Sequence, residues 1–274
     1  METNEEIKTM VKERYGKVAE QSKSQKSSCG CGCNSADTAD DVVFDLDYAK
    51  LKGYNPDADL SLGCGLPTQF ARIKEGDTVI DLGSGAGNDV FVARALAGET
   101  GKVIGIDFTE EMIEKANENN RKLGFNNVQF LLGDIENMPV ENNIADVVIS
   151  NCVLNLVPDK VKAFKEIYRI LKPGGHISVS DIVTTGKLTP AIKSIAELYA
   201  ACVSGAIEKS KYLDIMKNSG LINIRIDKEN PISLPDETIL RYISKEDLDD
   251  YRKSGISVVS INVYAEKPAE KKCC

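Results

Sequence analysis

Apolar positions along the chain follow two rhythms. Over residues 4–21, Ile7, Met10, Val11 and Val18 recur at helical spacing, which predicts an amphipathic helix. The polar run Ser22–Ser28 then reads as a flexible linker. From residue 76 onward, short apolar runs alternate with longer mixed stretches. Thr78–Leu82 predicts a buried strand, followed by a glycine-rich turn and a helix to about Ala97. Lys102–Asp107 is a second strand, and Thr109 opens a helix that ends near Gly124. Val128–Leu132 and Ala145–Ser150 are the third and fourth strands. Pro158–Leu171 predicts a helix closed by Lys172-Pro173-Gly174-Gly175, and His176–Ile182 a fifth strand. Further on, Pro190 starts a helix that carries Cys202, and another helix ends near Gly220. Asn223–Asp227 and Ser257–Ala265 complete the set as strands.

Strands alternating with helices of this length require a mostly parallel sheet covered on both faces. The predicted class is α/β, a doubly wound Rossmann-like sheet with an N-terminal helical arm. The expected division is an arm over 1–47, a main domain over 48–268 and a disordered tail over 269–274.

Composition narrows the chemistry. The 274 residues carry a net charge of −8, which disfavours nucleic acid or an anionic membrane as partner. No apolar run is long enough to span a bilayer, and the first residues lack the apolar core of a secretory leader. A cytoplasmic protein, monomeric in solution, is the expectation. Eight cysteines, at 29, 31, 33, 64, 152, 202, 273 and 274, are too sparse for a disulfide scaffold, so metal binding or catalysis is the likelier use of thiols in a reducing compartment. The single histidine, His176, reads as a strand-start residue with no chemical role.

The turn after the first strand is Asp81-Leu82-Gly83-Ser84-Gly85-Ala86-Gly87. Tight strand-to-helix turns need glycine anyway, so the glycines alone say little. The acid before them says more, because it would repel a pyrophosphate and suits a cationic or zwitterionic ligand. Asp107, at the end of the second strand, can accept from ribose hydroxyls. Asp134, after the third strand, can accept from an adenine amino group. Together with Lys172-Pro173-Gly174-Gly175, these residues resemble the class I S-adenosylmethionine-dependent methyltransferases over roughly residues 70–265. That resemblance implies S-adenosylmethionine as cofactor, held by Asp81, Gly83, Gly85, Gly87, Asp107, Asp134 and Asn151. It also implies a substrate-side insertion over 183–220.

Three cysteines fall in the segments that flank such a pocket. Cys64 is in Gly63-Cys64-Gly65-Leu66-Pro67, Cys152 in Ser150-Asn151-Cys152-Val153-Leu154-Asn155, and Cys202 in Ala201-Cys202-Val203-Ser204-Gly205. A free cysteine taken singly is most often a small buried hydrophobe. Three thiolates without histidine form a soft, trigonal ligand set, whereas zinc favours four ligands. These motifs resemble the arsenite methyltransferases, and the resemblance implies that Cys64, Cys152 and Cys202 bind As(III) and carry the catalysis.

The reaction so implied is attack by the arsenic lone pair on a sulfonium-bound methyl group, which needs no general base. The cysteines must ionise, so activity should rise as pH approaches about 8.5. Methylation raises arsenic to the pentavalent state, so a thiol reductant, glutathione or a thioredoxin-type protein, is expected as co-substrate. Arsenite or its glutathione conjugate is the expected substrate. Cys29, Cys31 and Cys33 alternate with glycines and can converge on one soft ion, which makes them an expected auxiliary capture site. Cys273-Cys274 is a second candidate of that kind. Two other readings stay open: a different small-molecule C- or O-methyltransferase, and a metalloid-binding protein without enzymatic activity.

Overall fold

The computed structural model describes residues 3–24, 47–193, 205–232 and 235–270. Helix α1 spans Asn4–Ser24, taking in the first residues of the expected linker. After a short helix α2 (Pro67–Phe70) the alternating pattern begins. It runs β1 (Thr78–Leu82), α3 (Asn88–Ala97), β2 (Lys102–Asp107), α4 (Glu110–Leu123), β3 (Val128–Leu132) and β4 (Ala145–Asn151). Helix α5 (Lys160–Ile170), β5 (Leu171–Thr184), α6 (Lys209–Asn218), β6 (Ile222–Ile232) and β7 (Val258–Glu266) follow. Two helices between β6 and β7, Asp236–Ile239 and Lys245–Ser254, have no counterpart in the predicted set. The second is sparsely apolar, and its sequence signal is the capping residue Ser244, whose Oγ accepts from the Asp247 N–H.

The seven strands lie in the order β3-β2-β1-β4-β5-β7-β6. All neighbours are parallel out to β5, and β7 is antiparallel to both β5 and β6. The central strands are nearly continuous apolar runs because helices cover both faces. Ile80, Leu82, Ile106, Val148 and Ile149 are fully or almost fully buried. Each such side chain contributes about 1.5–3 kcal/mol of burial free energy.

Strand β5 starts earlier than expected, at Leu171. The Lys172-Pro173-Gly174-Gly175 turn joins the sheet because the Gly174 N–H donates to the Lys267 carbonyl and Lys267 N–H donates back to Gly175. His176 begins the stretch that pairs with β7; its ring stacks on Tyr264 and its Nε2 meets the Ala71 carbonyl oxygen at 2.5 Å. These contacts tie the start of that pairing to β7 and to the segment after α2.

The order in which strands are added reverses between β1 and β4, which run parallel: β2 and β3 lie on one side and β4 and β5 on the other. The carboxyl ends of β1 and β4 therefore open a crevice, the usual ligand position in such sheets. The glycine turn leaves β1 there, and Asn151-Cys152 leaves β4 beside it.

Candidate active site

A cavity of about 1320 Å³, measured to its open mouth, occupies that crevice. Of the residues expected to hold a cofactor, Asp81, Gly83, Gly85, Asp107, Asp134 and Asn151 line it. Gly87 lies behind the wall, at the left-handed N-terminal cap of α3. Gly83 has φ of +67°, and a Cβ there would overlap the Val153 side chain, so the turn passes the β4 loop only as glycine.

The floor is acidic. Asp81 and Asp89 are buried, and burial pushes both carboxyls up, Asp89 to about 6 against the hydrogen bonds from Asn151 and Tyr48. Burial likewise raises Asp107, opposed by the Thr109 and Gly85 N–H groups that donate to its two oxygens at 2.9 Å each. No ion pair among the described residues involves any of the three. Ser84 Oγ and Asn88 Oδ1 are buried at the same wall without a hydrogen-bond partner among the described residues. Buried carboxyl groups with no cationic partner among the described residues, and unsatisfied polar atoms facing a cavity, fit a ligand that is cationic and rich in hydroxyl and amino groups. S-adenosylmethionine has that character, and Asp107 retains lone pairs for a ribose.

These raised carboxyls set a pH dependence. In the folded state they hold protons that the unfolded chain would release. Their stabilising effect is therefore complete below the usual carboxylate range and is lost as pH rises through about 4 to 7. A carboxyl moved from 3.8 to about 6 accounts for about 3 kcal/mol of it. Asp181, buried on β5 and raised to about 7 by burial, acts in the same direction. The ligand-free protein is expected to melt several degrees higher at pH 5 than at pH 8. A melting temperature that rises across this interval would refute the burial of these groups.

The structure gives Asp134 a partner that the sequence did not suggest. Lys8 Nζ, from α1, donates to Asp134 Oδ2 and to Glu136 Oε2, both at 2.7 Å. Lys8, Val11 and Tyr15 line the cavity, so α1 forms part of its rim. A helix that read only as an arm belongs to the site.

Cys64 and Cys152, 88 positions apart in sequence, come together in one buried apolar cluster with Ile182, Ile192 and Tyr251. Both are almost fully buried, and neither is in a disulfide. Cys152 faces the cavity and adopts φ of +60°, an uncommon conformation for a residue with a side chain and one that concentrates at functional sites. Cys29, Cys31, Cys33, Cys202, Cys273 and Cys274 lie outside the described residues. Among the described residues no trio of His, Cys, Asp or Glu is arranged to hold a metal ion. Gly205, three positions after Cys202, packs so closely on Asn155 that a Cβ would overlap the Asn155 carbonyl oxygen.

Besides Lys8, Tyr48 and Asp89 line the cavity without having been read from the sequence. Asp89 sits in the first turn of α3, where an acid ordinarily reads as a complement to the helix dipole. Tyr48 had no local signal. The Tyr48 hydroxyl lies 3.0 and 3.1 Å from the two Asp89 oxygens, and Asn151 Nδ2 lies 2.6 Å from that hydroxyl.

Comparison with known proteins agrees with this architecture. Residues 73–220 match the family described as a methyltransferase domain. The chain is similar to an arsenite methyltransferase of Halobacterium salinarum, with 37% identity over 97% of this chain and 68% of that protein. It is also similar to a human arsenite methyltransferase, with 33% identity over 87% of this chain and 64% of that protein. The chain thus spans about two thirds of the length of these relatives. Among solved structures, an arsenic (III) S-adenosylmethionine methyltransferase from Chlamydomonas reinhardtii matches with a TM-score of 0.61 and 29% identity, over 82% of this chain and 71% of that one.

Proposed function

The chain belongs to the arsenite methyltransferase family, and from that premise we propose that it methylates trivalent arsenic bound by Cys64, Cys152 and Cys202. S-adenosylmethionine supplies a methyl group activated on a sulfonium. Asp81, Asp89 and Asp107 provide the negative wall for it, and the Gly83–Gly87 turn brings backbone close enough to leave it room.

The observation that carries this reading is the convergence of Cys64 and Cys152 beside that cavity. Their chain segments are linked directly, since the Cys64 N–H donates to Asn151 Oδ1 at 3.1 Å. Contact between Gly205 and Asn155 supports the third thiol, because at most about 3.6 Å per residue separates Cys202 from that contact along the chain. Three thiolates would hold arsenic as a pyramid with its lone pair directed at the cavity. The cluster around Cys64 and Cys152 is apolar, which keeps water off that side of the reacting centre. Fixing both reactants in this way is worth on the order of 7–11 kcal/mol. The nucleophile loses no proton, and no histidine lines the cavity.

Returning the product to the trivalent state takes two electrons, and two thiols supply them by forming a disulfide. A thiol reductant, glutathione or a thioredoxin-type protein, then restores the thiols, in keeping with a cytoplasmic setting. Cys29, Cys31 and Cys33 are proposed as the auxiliary capture site that loads arsenite. No described helix is long and apolar enough to cross a membrane.

The test is product analysis. With arsenite, methyl-labelled S-adenosylmethionine and glutathione, label should appear in methylated arsenicals together with S-adenosylhomocysteine. Omitting the thiol should stop turnover after about one cycle. Label in no arsenical would reject the proposal. Arsenite binding without any S-adenosylhomocysteine would favour a metalloid-binding protein.

A further inference from the structure

We infer that Tyr48 and Asp89 are positioning residues that set the register of Cys64 against Cys152 by orienting the side-chain amide of Asn151. The inference rests on the reading of these cysteines as the arsenic-binding thiols.

Asn151 is the last residue of β4 and the covalent neighbour of Cys152. It lines the cofactor cavity, but its amide is committed elsewhere. Its Oδ1 accepts from the Cys64 N–H at 3.1 Å, and its Nδ2 lies 2.9 Å from the Gly65 carbonyl oxygen. The same nitrogen lies 2.6 Å from Tyr48 Oη and 2.9 Å from Asp89 Oδ2. An amide nitrogen has two hydrogens, and three acceptors surround this one, so its orientation leaves no alternative with Oδ1 on the Cys64 side.

Tyr48 is locked into the arrangement. Burial, with the Asp89 carboxylate beside it, raises the phenol far above its ordinary range, so the hydroxyl stays protonated and donates to Asp89. Asp89 in turn stands on the first turn of α3, the helix that leaves the glycine turn. A chain of side chains therefore runs from the cofactor turn to the Cys64 loop.

The loop itself is clamped. Besides the Asn151 contacts, the Cys64 carbonyl accepts from Ser260 Oγ at 2.7 Å. A Cβ on Gly63 would meet Asn151 Nδ2 at 2.7 Å, and one on Gly65 would meet Ser180 Oγ at 2.5 Å. The glycines flanking Cys64 thus permit two side chains to close on its backbone. Cys152 is held from the other side, its N–H donating to the Ser180 carbonyl at 2.7 Å. Both thiol-bearing backbones are referenced to one amide, and Tyr48 and Asp89 aim it. Two sulfur ligands to one arsenic must keep a fixed separation, which this cluster supplies before the substrate arrives.

The test uses phenylarsine oxide, a trivalent arsenical that closes on two thiols. The parent is the full-length chain with Cys29→Ser, Cys31→Ser, Cys33→Ser, Cys273→Ser and Cys274→Ser, so that only the three site thiols remain. Tyr48→Phe removes the hydroxyl and keeps the ring. Asp89→Asn keeps the shape and halves the acceptors. Capture is measured by titration without cofactor, alongside S-adenosylhomocysteine affinity as a control. The parent should bind one equivalent, and Tyr48→Phe should bind about tenfold more weakly, the effect of losing a hydrogen bond in a charged network. Asp89→Asn should fall between them, and S-adenosylhomocysteine affinity should change less than threefold in Tyr48→Phe; Asp89 belongs to the cofactor wall, so that variant is judged by arsenical capture without cofactor.

Equal capture by parent and Tyr48→Phe overturns the inference while leaving the function intact. A parallel loss of S-adenosylhomocysteine affinity also overturns it, since the defect would then be general collapse of the cavity. A parent that captures no phenylarsine oxide rejects the thiol site itself. Should Tyr48→Phe fail to fold, Asp89→Asn decides by phenylarsine oxide capture, and capture equal to the parent's overturns the inference.

Discussion

Cys152→Ser is expected to abolish methylation of arsenite, lowering turnover by about two to three orders of magnitude while S-adenosylhomocysteine still binds. Serine fits the space, but its hydroxyl does not ionise near neutral pH and is a hard ligand for a soft ion. Removing one of three linked ligands forfeits an intramolecular contact whose effective concentration is worth about 10²–10⁴ in affinity. Cys152 also occupies the φ of +60° where the chain leaves β4, so no other residue can bring a sulfur to that position without moving the loop. The buried hydroxyl costs about 1–3 kcal/mol in stability, tolerable for a protein of this size. Turnover of label into arsenicals and a calorimetric S-adenosylhomocysteine titration measure the two halves. Activity within tenfold of the parent would remove Cys152 from the ligand set and restore the reading of a small-molecule methyltransferase with incidental thiols.

Gly205→Ala should be nearly as damaging, although the residue has no functional group. The new Cβ would overlap the Asn155 carbonyl oxygen, with the Leu156 Cα only 3.5 Å away. Both neighbours are backbone atoms, so the methyl cannot be accommodated by a rotamer change. Residue 205 must retreat from the turn that follows Cys152, and Cys202 is three positions away along the chain. We expect arsenite methylation to fall about a hundredfold, since a misplacement near 1 Å at a reacting centre costs that much. Cofactor affinity should hold within threefold, because the glycine turn and the acidic floor lie on β1, β2 and α3. Unimpaired methylation by Gly205→Ala would show that this contact does not serve the thiol site.

Much of the site was legible in the residues. Asp81, Asp107 and the glycine turn announce themselves because strand ends and tight turns have local signatures. Cys64 and Cys152 stood out as candidate soft ligands, through their thiols and the scarcity of histidine, and the structure brings the two into one buried cluster. Lys8, Tyr48 and Asp89 were not. Each is an ordinary residue of its element, a lysine on an exposed helix, a tyrosine in a short turn, an acid in a first helical turn. Their roles come from partners 126, 103 and 62 residues away: Asp134 for Lys8, and Asn151 for Tyr48 and Asp89.

Periodicity and turn chemistry alone located the strands, most helix limits and the parallel core, because these depend on contacts within a few residues; β6, expected over Asn223–Asp227, runs on to Ile232 through its pairing with β7. The early start of β5 and the helix at Lys245–Ser254 escaped, one set by pairing with β7 and the other too polar to show a face. Only the tertiary structure decided that α1 rims the cavity, that three carboxyls share one buried wall, and that one asparagine amide ties two thiol loops together. Burial and hydrogen-bond commitment are properties of distances between remote segments, and a linear pattern carries no record of them.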